Sequence, residues 1–300
     1  MIIDAHSHLW LKQDTVVDGK IIRTTDRGRS IFMGEEVQMC PPFMIDGRNS
    51  AEVFLANMDY AQVSAAVVVQ EFIDGLQNDY LAEVASKYPN RFKVCGMADF
   101  RNDDFIATAE KLIESGAYSG IAIPGHRLSR PLNEPSMMQM YALMEAKGMF
   151  LSLCLHEDNH QLAEAEDIIT SFPHLRIAIG HFGMVTTEGW LEQIKLARHD
   201  NVMVESGGIT WLFNSEFYPY NGAIKAIKQA AELVGMNKLM WGSDYPRTIT
   251  AITYKMSYDF ISKSNELTDE EKRLFLGENA KQFYGFENLV ELPYIKNMSE

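Results

Sequence analysis

Short apolar runs alternate along the chain with segments that carry apolar residues at helical spacing. Runs rich in Val, Ile, Leu, Met and Phe occur at residues 1–8, 65–72, 92–100, 119–125, 150–156, 175–180, 201–206 and 238–242. Their continuous apolarity is typical of strands buried on both faces, as in parallel sheets. Between and after them, apolar residues at i, i+3 and i+4 predict helices at residues 50–62, 79–88, 103–115, 136–147, 161–172, 188–199, 222–234 and 251–263.

The spacing of the runs predicts the architecture. From the second run onward, most runs begin about 25–31 residues after the previous one, which is the length of one strand–helix unit. Eight strands alternating with eight helices predict a single (β/α)8 TIM barrel domain over residues 1–300. An open, doubly wound parallel sheet is the alternative fold with the same alternation.

Two segments fall outside this repeat. Residues 10–49 form a long insertion after the first strand. A loop of this length is usually functional, so we expect this insertion to act as a lid. The alternative is a surface segment without a functional role. Within the insertion, Asp18-Gly19 between β-branched residues predicts a hairpin. Thr268 and Glu271 form a capping-box pattern that begins a final helix over residues 268–286, which we expect to pack outside the barrel.

Composition and charge narrow the function classes. The 300 residues are 46% hydrophobic and 23% charged, as in globular proteins with a sizeable core. The net charge of −14, without a Lys/Arg run, argues against nucleic-acid binding. No apolar stretch reaches the ~18 residues of a membrane span. The three scattered cysteines (Cys40, Cys95, Cys154) form no disulfide pattern, which favours a cytoplasmic location.

Histidines lie where the predicted strands end. His8, His156 and His181 close three of the runs, and Asp244 lies just past the eighth. The carboxyl ends of barrel strands converge on one face, where active sites lie, so these residues are expected to meet. His6 and His8 are two residues apart on one strand, so both side chains point to the same side.

Histidine nitrogens and a carboxylate oxygen are typical ligands of zinc and similar divalent ions. Three histidines with Asp244 would form such a site, because a carboxylate at this position is costly to bury unless it is paired or bound to a metal. The fourth histidine would then be free for acid–base chemistry. Taken singly, His156 and His181 are equally consistent with hydrogen-bonded histidines that only close a strand.

Taken together, these motifs resemble the amidohydrolase superfamily over essentially the whole chain. The branch concerned is the amidohydrolase-related (amidohydrolase 2) branch, which includes aminocarboxymuconate semialdehyde decarboxylase, γ-resorcylate decarboxylase and several sugar-acid and muconolactone lactonases. The resemblance rests on Asp4-Ala5-His6-Ser7-His8, Leu155-His156, Phe172-Pro173-His174-Leu175-Arg176, Gly180-His181-Phe182-Gly183, Gly242-Ser243-Asp244-Tyr245-Pro246 and Asn279-Ala280.

The resemblance implies roles for individual residues. It implies that His6, His8, His156 and Asp244 ligate one divalent metal ion, zinc first and manganese second. It implies that His181 is a general base or positions the attacking water, and that Asp244 accepts a proton from that water. Two-metal members carry a carboxylated lysine at the end of the fourth strand; residues 121–127 contain none, which favours a mononuclear site. Some lactonases of this branch work without metal. A homodimer is also implied.

Other residues near the predicted strand ends are candidates for binding a small anionic substrate. Arg127 and Arg247 follow the fourth and eighth strands, and a guanidinium suits a substrate carboxylate; a salt bridge within the protein is the alternative for each. Glu205 could face inward or instead orient a metal ligand. The remaining candidates for the pocket wall are His126, Glu71, Trp10 and Tyr245.

The sequence thus favours a metal-dependent hydrolase that acts on a small carboxylated cyclic substrate, such as a lactone. In this reaction a metal-activated water attacks a carbonyl carbon. The alternative enzyme is a metal-dependent, non-oxidative decarboxylase of an aromatic or muconate-type acid. A barrel that binds a metal or a ligand without catalysis is the third possibility.

Overall fold

The computed structural model describes residues 1–298 of the chain. The strands are β1 (Ile3–Ser7), β2 (Asp14–Val17), β3 (Lys20–Thr24), β4 (Arg29–Phe32), β5 (Glu35–Gln38), β6 (Ala65–Val68), β7 (Phe92–Gly96), β8 (Gly120–Pro124), β9 (Phe150–Cys154), β10 (Arg176–Ile179), β11 (Val202–Glu205) and β12 (Leu239–Met240). The α-helices are α1 (Ala51–Tyr60), α2 (Asn78–Lys87), α3 (Phe105–Ser115), α4 (Pro135–Ala146), α5 (Leu162–Ser171), α6 (Leu191–Lys195), α7 (Ile209–Leu212), α8 (Asn221–Val234), α9 (Met256–Ser262), α10 (Asp269–Arg273) and α11 (Asn279–Tyr284).

Eight parallel strands form the barrel, in the order β1-β6-β7-β8-β9-β10-β11-β12. Backbone hydrogen bonds join the two edges: Ala5 N–H donates to Trp241 O over 2.9 Å, and Asp244 N–H donates to His6 O over 2.9 Å. The predicted (β/α)8 TIM barrel is therefore confirmed, and the doubly wound alternative is wrong. The eighth strand is shorter than its apolar run, because pairing as a regular strand stops at Met240.

The barrel interior holds small and large side chains in combination. Ala5, Ala122 and Ala178 face it together with Phe150. These side chains are almost completely buried, which explains why the strands read as continuous apolar runs.

The final helical segment closes the amino-terminal end of the barrel. The capping box of Thr268 and Glu271 is present, and the helix continues through a π-helical turn at Leu274–Glu278 into α11. The Tyr284 ring lies 4.8 Å from that of Phe150, at the start of β9. Tyr284 and its neighbours cover the apolar barrel floor, which would otherwise be exposed to water.

The insertion after β1 folds into a four-stranded antiparallel sheet in the order β2-β3-β4-β5. The predicted hairpin is confirmed: Val17 pairs with Lys20, and Asp18 and Gly19 have φ of 50° and 73°, as a two-residue turn requires. Paired hydrogen bonds of 3.0 Å between Trp10 and Asn49 hold the ends of the insertion together. No helix within residues 1–298 is both long enough and apolar enough to cross a membrane.

Candidate active site

Three side chains of types that can bind a metal ion converge at the carboxyl-terminal end of the barrel. Nε2 of His8 lies 3.1 Å from Nε2 of His6 and 3.0 Å from Oδ1 of Asp244, and the distance between His6 Nε2 and Asp244 Oδ1 is 3.8 Å. All three residues are at most 2% exposed. The prediction that the two histidines face the same side of β1 is confirmed. These three ligand atoms are close enough together to hold one metal ion.

The backbone directs Asp244 into this cluster. Its φ of 57° lies in the left-handed region, which residues other than glycine rarely adopt and which recurs at functional sites. Its N–H group is bonded to His6 O, so Asp244 is tied directly to the strand that carries both histidines.

A carboxylate lies behind each of the two histidines. Nδ1 of His6 is 2.7 Å from Oε1 of Glu205, and Nδ1 of His8 is 2.8 Å from Oδ2 of Asp74, although this second pair is not aligned as a hydrogen bond. Carboxylates placed in this way fix the ring orientation of metal-binding histidines. Both Nε2 atoms thus point toward Asp244, and the donor set fits a divalent metal ion.

Charges around Asp244 keep it ionised. Burial favours its protonated form, but the hydrogen bond from His8 and the Arg247 guanidinium outweigh burial and hold the pKa of Asp244 well below its usual range. Oδ2 of Asp244 also accepts a hydrogen bond of 2.8 Å from Nε1 of Trp211. Asp244 therefore fits the role of an anionic ligand better than that of a proton acceptor.

His181 lies beside the cluster with one ring nitrogen available. Its ring centroid is 4.7 Å from that of His6, and its Nδ1 is 2.9 Å from the carbonyl oxygen of Gly207. A carbonyl only accepts, so Nδ1 carries the proton and Nε2 of the neutral ring is free to accept another. Burial and the neighbouring His6 lower the pKa of His181. Like Asp244, His181 has a left-handed backbone, with φ of 55°.

His156 is not brought together with the other three proposed ligands. It lines the same cavity, but its Nδ1 lies 2.9 Å from Oδ1 of Asp158 and its side chain is 38% exposed. His160 contacts the same carboxylate oxygen at 2.5 Å. The loop that follows β9 turns the imidazole of His156 toward these loop residues, which its position at a strand end does not reveal.

A cavity of about 590 Å³ opens above the cluster. The predicted residues His126, Arg127, Arg247 and Glu71 line it. Nε of Arg127 donates to Glu71 over 2.7 Å, and Arg247 contacts Asp74 at 2.7 Å. Both arginines thus form salt bridges within the protein and also face the cavity.

Burial and the Arg127 charge lower the pKa of His126 to about 3, so this ring is neutral. Phe32 and Met39 from the insertion complete one side of the cavity.

Three residues predicted to contact substrate do not line the cavity. Trp10 is fully buried, donates through Nε1 to Gly47 O over 3.0 Å, and packs 6.0 Å from the Arg247 guanidinium. The Tyr245 ring stacks on the ring of Phe54 in the core, with 4.0 Å between the ring centroids, because the chain after β12 turns Tyr245 away from the barrel axis. Glu205 orients His6, which is the alternative that the sequence left open for it.

Sequence reasoning missed two contributors to the site. Asp74 follows β6 in a short 3₁₀ turn and contacts both His8 and Arg247. Trp211 lies in α7, a four-residue helix too short to show a periodic pattern. The usable signal for Asp74 was a carboxylate shortly after an apolar strand, the same signal that identified Asp244.

Solved structures with the same fold are known, and several of them contain metal ions or small anions. A probable 2-pyrone-4,6-dicarboxylic acid hydrolase from Acinetobacter baumannii, with citric acid bound, is 18% identical (TM-score 0.69), covering 95% of this chain and 99% of that one. An amidohydrolase from Burkholderia multivorans with bound zinc is 17% identical (TM-score 0.70), with the same coverage. A 5-carboxyvanillate decarboxylase from Novosphingobium aromaticivorans, complexed with manganese, is 17% identical (TM-score 0.57), covering 78% and 80%.

Family membership follows from the sequence itself. A comparison with curated protein sequences gave no match. The amidohydrolase family model (Amidohydro_2), however, matches residues 3–286, which include both histidines of β1 and Asp244. The chain therefore belongs to this family of amidohydrolase enzymes.

Proposed function

We propose that the protein is a metal-dependent hydrolase that opens a small, carboxylated cyclic ester of the lactone type. The observation that carries this proposal is the placement of His181. Its unprotonated Nε2 lies beside a cluster of metal ligands and faces a cavity lined by two arginines. The site thus combines a proton acceptor, a place for a metal ion and groups that attract an anion.

His6, His8 and Asp244 would hold the divalent ion. His156 lines the same cavity and would be the fourth ligand once its imidazole turns away from Asp158. Zinc is the proposed ion and manganese the alternative; structural neighbours bind one or the other. The bound ion supplies Lewis acidity, which makes water acidic near neutral pH and polarises a carbonyl.

The protein's own groups perform the proton transfer. Nε2 of His181 accepts a proton from the attacking water, while the Gly207 carbonyl holds its Nδ1–H in place. The pKa of His181 is lowered, so the ring is neutral and ready to accept a proton at neutral pH. The strongly acidic character of Asp244 leaves His181 as the better acceptor of the two predicted residues.

Arg127 and Arg247 would bind the substrate carboxylate and draw a small anion into an otherwise acidic protein. The citric acid bound by the Acinetobacter baumannii neighbour supports this substrate charge. The cytoplasmic location and the homodimer predicted from the sequence remain predictions.

The test offers the protein a panel of carboxylated lactones and monitors their hydrolysis by the protons released in weakly buffered solution. A parallel panel of hydroxybenzoates and muconate semialdehydes is followed by release of carbon dioxide. We expect lactone hydrolysis that His181→Asn reduces by about 10²–10⁴-fold with unchanged metal content. His174→Asn, at an exposed position just before β10 and away from the cavity, is the matched control and should keep full activity. Carbon dioxide release without lactone turnover would favour the decarboxylase, the activity of the manganese-bound neighbour.

A further inference from the structure

The loop after β9 carries a second group of side chains of types that can bind a metal ion. Nδ1 of His156 and Nδ1 of His160 lie 2.9 Å and 2.5 Å from the same oxygen, Oδ1 of Asp158. The two imidazole centroids are 4.9 Å apart, and one ligand atom from each of the three residues lies within 4.8 Å of the others. Neighbouring ligand atoms of a tetrahedral zinc ion are roughly 3.3 Å apart, so only small shifts would place all three on one ion.

The contact between His156 and Asp158 lacks a proton. The backbone N–H of Asp158 donates to Nδ1 of His156 over 3.3 Å, so this nitrogen is an acceptor and the ring proton is on Nε2. Nδ1 and the carboxylate oxygen are thus two acceptors only 2.9 Å apart. Two lone pairs at this distance repel each other, and a cation bound to both atoms removes the repulsion. This arrangement favours a cation on the loop.

Two buried glutamines hold the backbone of this loop in place. Gln161 accepts from the N–H of His156 over 2.9 Å and donates to Gly125 O over 2.9 Å. Gln193 donates to the carbonyl oxygen of His156 over 2.9 Å and to Oδ1 of Asn159 over 3.0 Å. Both glutamines are at most 2% exposed, whereas the three side chains that could bind the ion are 38–58% exposed. The loop therefore presents these side chains to solvent from a fixed backbone.

We propose that His156, Asp158 and His160 form a second site for a divalent ion of the zinc type, and that an ion bound there keeps His156 away from the barrel. Two imidazoles and a carboxylate suit zinc and its neighbours in the transition series better than calcium or magnesium, which prefer oxygen ligands. In its contact with Asp158, His156 does not join the group around Asp244. The loop site stands on its own contacts, whereas its effect on the barrel rests on the proposed function.

The test is a calorimetric zinc titration of the full chain after removal of metal by a chelator. We expect two zinc ions per chain in the wild type, the tighter one in the barrel. His160→Asn should weaken the second ion at least about 100-fold, because loss of a ligand costs no less than loss of a residue that orients one. His199→Asn is the matched control and should leave both ions unchanged, since His199 also pairs with a carboxylate, that of Glu166 at 2.7 Å, away from the cavity.

Cobalt reports whether the loop ion takes His156. The visible absorption of a cobalt ion depends on its ligands, so zinc added to protein with one cobalt ion in the barrel should change this spectrum. His160→Asn, which lacks the loop site, should keep the spectrum. A constant spectrum in a wild type with two bound ions, or an equal change in both proteins, would refute the removal of His156. The same excess of zinc should inhibit turnover by the wild type and spare His160→Asn.

The number of bound ions separates this inference from the proposed function. If the wild type binds one ion and His160→Asn abolishes that binding, the barrel metal fails and the loop site stands. If the wild type binds one ion that His160→Asn leaves unchanged, the barrel metal stands and the loop site fails. His6→Asn removes a barrel ligand and should keep the loop ion. Loss of both ions from His6→Asn would overturn the loop site as an independent one.

Discussion

Asp4 offers a stringent test of how the site is held together. Its buried carboxylate accepts four hydrogen bonds. Oδ1 accepts from the backbone N–H groups of His6 (3.1 Å) and Ser243 (2.9 Å), and Oδ2 accepts from Ser243 Oγ (2.5 Å) and Tyr254 Oη (2.7 Å). One side chain thus joins β1, which carries the histidines, to the segment that carries Asp244.

Asp4→Ala leaves these donors buried without an acceptor. The two N–H groups cannot turn elsewhere, and each unsatisfied donor costs about 1–3 kcal/mol, so with a contribution from the hydroxyls we expect a loss of about 4–5 kcal/mol. The unfolding entropy of a 300-residue chain is about 0.6 kcal/mol/K, so each kcal/mol shifts the melting temperature by about 1.6 °C and the fall should be roughly 6–8 °C. Asp4→Asn keeps an oxygen for both N–H groups and should lose only about 1–2 kcal/mol.

The assay is thermal unfolding followed by circular dichroism and calorimetry for the wild type and both variants. An Asp4→Ala protein within about 1 kcal/mol of the wild type would refute the reasoning, since four buried hydrogen bonds would then contribute almost nothing. An Asn variant as unstable as the Ala variant would show that the negative charge, and not the acceptor geometry, holds the two segments together.

Three further substitutions probe other parts of the molecule. Asp74→Asn should weaken zinc binding about 10–100-fold, measured with a competing chelator, because the ring of His8 loses its carboxylate. Asp79→Asn, exposed on α2 and away from the cavity, should leave zinc affinity unchanged. The folded-state pKa of His126 is about 3, below its unfolded value near 6.5. The neutral ring therefore makes its full contribution to the stability of the fold above pH 6.5, and this contribution is lost as the pH falls. In urea unfolding, the wild type should lose about 2 kcal/mol more than His126→Asn between pH 6.5 and 5. Phe283→Ala removes a 93% buried ring from the barrel floor and should cost about 3–5 kcal/mol, a loss that a melting curve close to that of the wild type would contradict.

The barrel and the positions of its histidines were predictable because both depend on regular spacings of residues along the sequence. Apolar runs of regular spacing indicate strand–helix units, and a two-residue spacing alone places His6 and His8 on one side of β1. Asp244 could be placed with them because parallel strands end on one face of a barrel.

Side-chain direction beyond a strand end was not predictable. His156 and Tyr245 each follow a strand, but the local turn of the backbone decides whether such a side chain faces the axis, a loop or the core. Asp74 and Trp211 come from short irregular turns that leave no periodic signal. The capping box predicts the final helix, but it does not indicate which surface of the barrel that helix covers.

The position of that final helix has a consequence for how the chain acquires its structure during synthesis. Residues 274–286 leave the ribosome after all eight barrel strands, yet Gly277 packs against the backbone of Met1 and the Trp241 N–H bonds to Phe275 O. The amino-terminal end of the barrel therefore stays uncovered until the last helix has been synthesised and packs against the first strand. Such late, long-range contacts slow folding. A nascent chain lacking these residues would expose the apolar barrel interior, which is the kind of surface that chaperones recognise.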